Sequence, residues 1–140
     1  MSPDSETILA EWVYPVEWGK VREFARAVHD PRAGREPPVP PPTFPVVLSA
    51  EFVERFVREL MPLDRKRTVH GEQEYRYFRP LRVGQRVRCR ARMARDEVKE
   101  GSRGGRMRFV TVEIDLEDAG TGEKLGVERM TAIEKGAEPE

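Results

Sequence analysis

Between Thr43 and Met61 the chain carries Phe44, Val46, Val47, Leu48, Phe52, Val53, Phe56, Val57 and Leu60. The first half of this run is apolar nearly all round, and a helix of that kind belongs in an interior, not on a surface. Thr43 is placed to cap the start, Pro45 is tolerated in a first helical turn, and Pro62 stops the end. Whatever else the chain builds must therefore enclose this rod.

The enclosing material is legible further along. Val87, Cys89, Ala91 and Met93 alternate with arginines, and Val110, Val112, Ile114 and Leu116 alternate with Thr111, Glu113 and Asp115. Period-two alternation marks strands with one buried and one wet face. Thr68 to Phe78 and Leu125 to Ile133 supply two more strands, the last less regular, with a bulge expected near Glu128. Gly101 to Gly105 reads as a flexible hairpin connection and Asp118 to Glu123 as a tighter turn. Upstream, Ile8 to Tyr14 reads as a short first strand ending at Pro15. From Glu17 to His29, Val21, Phe24, Ala25 and Val28 form one helical stripe, which Asp30-Pro31 terminates. Pro31 to Pro42 is too proline-dense for helix or inner strand. Residues 1 to 7 and Lys135 to Glu140 read as frayed ends. The expected architecture is α+β: about five antiparallel strands curved around one long apolar helix, in a single domain spanning residues 1–140.

Composition narrows the function classes. The chain has 140 residues, 38% of them hydrophobic and 36% charged, with a formal net charge of zero. No long-range field pulls such a molecule to nucleic acid or anionic lipid. One cysteine, Cys89, excludes an intrachain disulfide and fits a reducing interior. No basic-then-apolar leader opens the sequence, and no run approaches the roughly 20 apolar residues of a membrane span. A cytoplasmic protein with neither membrane nor nucleic-acid partner is the expectation. His29, His70 and Cys89 show no metal-ligand spacing, so no metal or cofactor is expected.

Three stretches, in order, carry a resemblance. Phe24 to Asp30 is similar to a helix end that leads into a hydratase motif. Pro41-Pro42-Thr43-Phe44-Pro45 is similar to the entry of a central helix. His70-Gly71-Glu72-Gln73-Glu74-Tyr75, with Arg79-Pro80-Leu81 and Val83-Gly84, completes the set. From about Glu11 to Ile133 the chain resembles the MaoC-like hot-dog dehydratases. Within them it is closest in pattern to the FAS1-type dehydratase N-terminal branch, which includes the non-catalytic A and C subunits of mycobacterial (3R)-hydroxyacyl-ACP dehydratases. That resemblance implies a hot-dog fold and an acyl-CoA or acyl-ACP thioester as ligand.

Competent members read Asp-x-Asn-Pro-x-His after the first helix, and their Asp and His handle the water that adds across an α,β double bond. Here Asp30 fits the first position, while Arg32, Ala33 and Arg35 stand where Asn, Pro and His would be, and the covering segment is shortened. The dyad is broken. Such degenerate hot dogs pair with a competent one, so the resemblance implies an accessory subunit of an (R)-specific hydroxyacyl dehydratase or enoyl hydratase, dimerised with a catalytic MaoC-like subunit. A self-sufficient homodimeric hydratase or thioesterase and a non-enzymatic acyl-CoA-binding module stand as alternatives.

The candidate residues each have two readings. His29 and Asp30 are a candidate acid/base pair, or a helix end and an ordinary turn starter. Pro42, Thr43 and Phe44 front the helix whose N–H groups would face a thioester carbonyl, or serve as cap and core. His70, Gly71 and Tyr75 are candidate substrate contacts, or structural strand residues. Phe52 and Phe56 are core. The arginine series from Arg76 to Arg95 is a solvated outer face, with docking of CoA phosphates or an acidic carrier protein as its functional reading.

Overall fold

The structure, a computed structural model, describes residues 7–61, 63–102 and 105–137. Five strands form one antiparallel sheet: β1 (Ile8–Pro15), β2 (Thr68–Tyr77), β3 (Arg86–Glu100), β4 (Arg106–Asp118) and β5 (Lys124–Ala137). Their order in space is β1-β3-β4-β5-β2. β3, β4 and β5 follow one another as a meander, and β1 and β2 form the two edges.

Helix α2 (Pro45–Arg55) packs against the inner face of this sheet. Leu48, Phe52 and Phe56 recur every four residues and share one core with Val87, Cys89, Ala91, Val112 and Ile114. That spacing puts them on one helical stripe, and the strand residues come from the inward half of each alternation. The Trp12 indole N–H donates to Leu48 O at 2.9 Å, and the Trp12 ring stacks on Phe52 at 5.2 Å. Edge strand β1 is thereby fastened to the rod it helps enclose.

Several boundaries depart from expectation. Regular helix in the second element runs only over Pro45–Arg55 and widens into a π-helical turn at Phe56–Leu60, closed by Met61 N–H to Phe56 O at 2.6 Å. Thr43 is not the cap. Phe44 takes that position in helical geometry, with no side-chain cap bond, because its buried ring packs edge-on against Phe24 at 5.6 Å. Pro45 does occupy the first turn. Pro62, expected to stop the helix, lies outside the described residues, as do residues 1–6, 103–104 and 138–140. Lys135 to Ala137 are not frayed but belong to β5.

The bulge expected near Glu128 is elsewhere. Glu128 sits in regular ladder, opposite Ile114 on β4 and Tyr75 on β2. One register shift falls at Gly71, between His70 and Glu72, and another falls at Leu125. The irregular pattern of the last strand thus records a carboxyl placed on an inward position, plus an extra residue at its start.

Helix α1 (Trp18–Ala27) ends in a Schellman motif. His29, at φ 58°, donates its N–H to Arg26 O at 3.1 Å, and the Asp30 N–H reaches Ala25 O at 2.9 Å. The hairpin at Gly101 and Gly105 closes with a 2.8 Å backbone bond, and the turn after β4 with Asp118 N–H to Glu123 O at 2.8 Å.

Candidate functional site

Between α2 with its π-turn and the β2–β5 side of the sheet lies a cavity of about 630 Å³. Its walls are apolar: Val46, Ala50 and Val53 face it from the helix, Val112, Met130 and Ala132 from the strands. Polar residues interrupt them, among them Ser49, His70, Gln73 and Glu128. The volume falls in the range of small-molecule sites, and mostly apolar walls with a few placed polar groups are the usual make-up of one.

Alternation and one bulge aim these side chains. On β2, Gln73 opposes inward-facing Met130, and strict period two would turn residue 70 outward. The extra residue Gly71 restores it, so His70 opposes Ala132 and lines the cavity. The Ile133 side chain fills the space beside this glycine, so an added Cβ would make it shift.

Glu128 is the electrostatic centre of the site. Its residue is 1% exposed. Gln73 Nε2 donates to Oε2 at 3.2 Å, and Oε1 has no hydrogen-bond partner among the described residues. Burial pushes its carboxyl up to about 7, against a small opposing effect of the Ser49 hydroxyl. That hydroxyl donates back into its own helix, to Pro45 O at 3.2 Å. Burial, helped by the Glu128 charge, raises the phenol of Tyr75 and the thiol of Cys89, each to about 12. The Tyr77 phenol is raised too, by burial first and then by Tyr75 and Glu128.

The residues singled out from the sequence separate in space. His70 lines the cavity, Gly71 aims it, and half-buried Tyr75 stands cross-strand from Glu128. Pro42 and Thr43 are exposed in front of α2, where Pro42 O accepts from the Tyr77 hydroxyl at 2.6 Å. Pro42 and Tyr77 line a second groove of about 400 Å³ together with Arg32. Phe44 is buried in the core.

His29 and Asp30 do not line the cavity. His29 is exposed. Asp30 accepts from Arg32 three times: from the backbone N–H at 2.8 Å, from Nε at 3.2 Å and from Nη2 at 3.1 Å. These bonds hold its carboxyl below the usual carboxylate range.

Sequence reasoning missed Glu128, Gln73 and Ser49. The available signal was the acid that interrupts the inward positions Gly126, Glu128 and Met130 of the last strand.

The arginines of β3 point to the other face. Arg88 reaches Glu117 at 2.9 Å, Arg92 reaches Asp115 at 3.2 Å, and Arg90 reaches Glu11 at 3.4 Å. Among the described residues no cluster of three metal-ligating side chains occurs, and no helix is long and apolar enough to cross a membrane.

Residues 6–123 match the family described as FAS1-like, dehydratase domain region. The chain belongs to that family. A UPF0336 protein of Saccharopolyspora erythraea is 33% identical over 135 residues, covering 88% of this chain and 83% of that one. A UPF0336 protein of Thermobifida fusca is 40% identical over 89 residues, which are 55% of this chain and 59% of that relative, so this match spans little more than half of either. In fold, the chain is similar to one in the crystal structure of the C-terminally truncated HadBC (3R-hydroxyacyl-ACP dehydratase) complex from Mycobacterium tuberculosis. That likeness has a TM-score of 0.68 at 20% identity and covers 89% of this chain and 94% of that one. The fold is the α+β hot dog.

Proposed function

We propose that this FAS1-like dehydratase-region chain is the acyl-thioester-binding, accessory subunit of an (R)-specific hydroxyacyl dehydratase or enoyl hydratase. In this reading residues 1–140 form a single hot-dog domain, and a MaoC-like partner supplies the catalytic Asp and His. The observation that carries it is the contrast between a preserved apolar cavity beneath α2 and an Asp30 carboxylate committed to Arg32. A general base works best with a pKa near the operating pH, and the Arg32 bonds hold this carboxyl below the usual carboxylate range. The thioester carbonyl would lie at the N-terminal end of α2, near Thr43 and Phe44, where the positive end of the helix dipole favours developing negative charge. The acyl chain would then run past Val46 and Ala50 towards His70 and Tyr75.

Pairing has its own support. β2 borders the cavity and is an edge strand, with a row of backbone groups that a partner sheet would satisfy. HadBC, to one chain of which this fold is similar, is described as a complex.

Hydration of crotonyl-CoA tests the reading. The purified chain is expected to turn over nothing alone, and to co-purify with a MaoC-like subunit whose complex is active. Asp30→Asn should leave the activity of that complex unchanged. Turnover by the isolated chain that Asp30→Asn abolishes would overturn the accessory role.

A second reading, a self-sufficient homodimer, is favoured by one observation: His70 and Glu128 line the same cavity. Turnover by the chain alone that Glu128→Gln or His70→Asn removes would establish it.

A further inference from the structure

The cavity under α2 has two different ends. Strands β2 and β5 run antiparallel along it, pairing Gln73 with Met130 near one end and Val69 with Ile133 near the other. Ser49 and Glu128 share the Gln73 end, while Val57, Met61 and Arg65 share the Val69 end. Both ends reach solvent, since Val46 and Val69 are each 42% exposed. Along the helix axis, Val46 and Val57 stand about 16 Å apart at roughly 1.5 Å per residue. An extended chain gains roughly 1.2 Å per bond, so about thirteen bonds reach from end to end.

Charge separates the ends. The Gln73 end holds the buried carboxyl of Glu128, and a second negative group is disfavoured beside it. The Val69 end holds Arg65, which is exposed at the mouth. Its charged neighbours are committed: Arg67 to Asp64 at 3.3 Å, and Glu54 to Arg58 at 3.9 Å. The Arg65 guanidinium itself has no hydrogen bond or ion pair among the described residues. His70 lies between the two ends, on β2. A forked guanidinium matches a planar carboxylate, two N–H groups to two oxygens. Apolar walls leading up to it suit the alkyl chain such a carboxylate terminates.

We propose that Arg65 makes the Val69 end of the cavity a carboxylate site, so that the preferred ligands are alkyl chains whose terminal carboxylate meets this guanidinium. Two sources carry that chemistry. One is a free fatty acid. The other is an acyl thioester with a second carboxylate at its distal end, and only this source rests on the thioester reading above.

The experiment is calorimetric titration of the full chain, with its partner subunit where one co-purifies. It is run at pH 8, where the acid probes and Glu128 are ionised. Two pairs of probes differ at the terminal carboxylate: decanoate with decan-1-ol, and tetradecanedioyl-CoA with tetradecanoyl-CoA. The acid of at least one pair is expected to bind about three- to tenfold tighter than its counterpart, the yield of an ion pair at a partly solvated mouth. Preference in the first pair alone identifies a free fatty acid, and in the second alone a distal carboxylate on a thioester. Arg65→Gln should bring the ratio to about one while the uncharged counterpart binds as before. Arg65→Lys keeps the charge and should keep part of the preference.

Ratios within about twofold in both wild-type pairs would overturn the proposal, as would a preference that Arg65→Gln leaves intact. A decanoate preference with no binding of either CoA ester would remove the thioester reading and leave this inference standing. Equal binding of the two CoA esters, with no decanoate preference, would remove the inference alone. Binding of none of the four by folded protein would remove both.

Discussion

The two faces of this sheet treat carboxylates in opposite ways. On the outer face Glu11, Asp115 and Glu117 each meet an arginine of β3 across the ladder, at distances from 2.9 to 3.4 Å. Those pairs stand in or near water, hold strands in register and carry little energy each. On the inner face Glu128 stands among aliphatic side chains, with one oxygen unsatisfied among the described residues. The same residue type is scaffold on one side and an unexplained cost on the other. Local chemistry therefore says more about function than residue counts: Arg88, Arg90 and Arg92 of the conspicuous arginine series each pair with outer-face acids, while one inconspicuous glutamate has no cation beside it among those residues.

Four measurements sharpen or break this contrast. Phe52→Ala empties the aromatic stack between Trp12 and Phe56 and should cost about 3–5 kcal/mol in denaturant unfolding, the range for a large core truncation. A loss under 1 kcal/mol would mean that α2 is not the rod the sheet encloses.

Next comes the pH dependence of stability. The folded carboxyl of Glu128 is raised from 4.5 to about 7, so the unfolded chain loses its proton first. The folded state then holds more protons between those values, and stability should fall as pH rises from about 4.5 to about 7. The linked loss is about 3 kcal/mol at 1.36 kcal/mol per pH unit. Glu128→Leu should remove that fall and leave the variant more stable than wild type at pH 8. Identical slopes for both proteins would place Glu128 in contact with water.

Gly71→Ala forces a methyl group into Ile133 and should cost about 1–3 kcal/mol by overpacking. A backbone amide shift at His70 would show that the bulge aims this residue into the cavity. The smallest effect belongs to the outer face. A double-mutant cycle on Arg92 and Asp115 should return a coupling of about 0.2–1 kcal/mol, shrinking in high salt. A coupling several times larger would make the arginine ladder more than a solvated surface.

Much of this molecule was legible in its sequence because alternation and apolar density report burial directly. The rod at 43–61, the strands on either side of Gly101 and Asp118, and the first strand all follow from the side of each element that must leave water. What was not legible depends on contacts between distant residues. Thr43 has a capping side chain, yet burial of Phe44 moved the cap by one residue. His29 looked like half of a catalytic pair, but it closes a Schellman turn in a left-handed conformation that glycine more often fills. Nothing in a neighbouring-residue pattern shows that Arg32 folds back onto both oxygens of Asp30. Glu128 was visible only as a flaw in the last strand, because an inward acid and a register shift disturb alternation in the same way. The bulge that does aim a side chain lies on β2, at a glycine covered by Ile133 of the neighbouring strand.

The most direct test of the account follows the acyl chain itself. An acyl-CoA bearing a diazirine at its far end, photolysed on the full chain and mapped by peptide mass spectrometry, should label inward residues of α2 and β5 such as Ala50, Val53 and Met130. Labelling confined to the arginine face of β3, or no labelling that excess unlabelled acyl-CoA competes away, would contradict it.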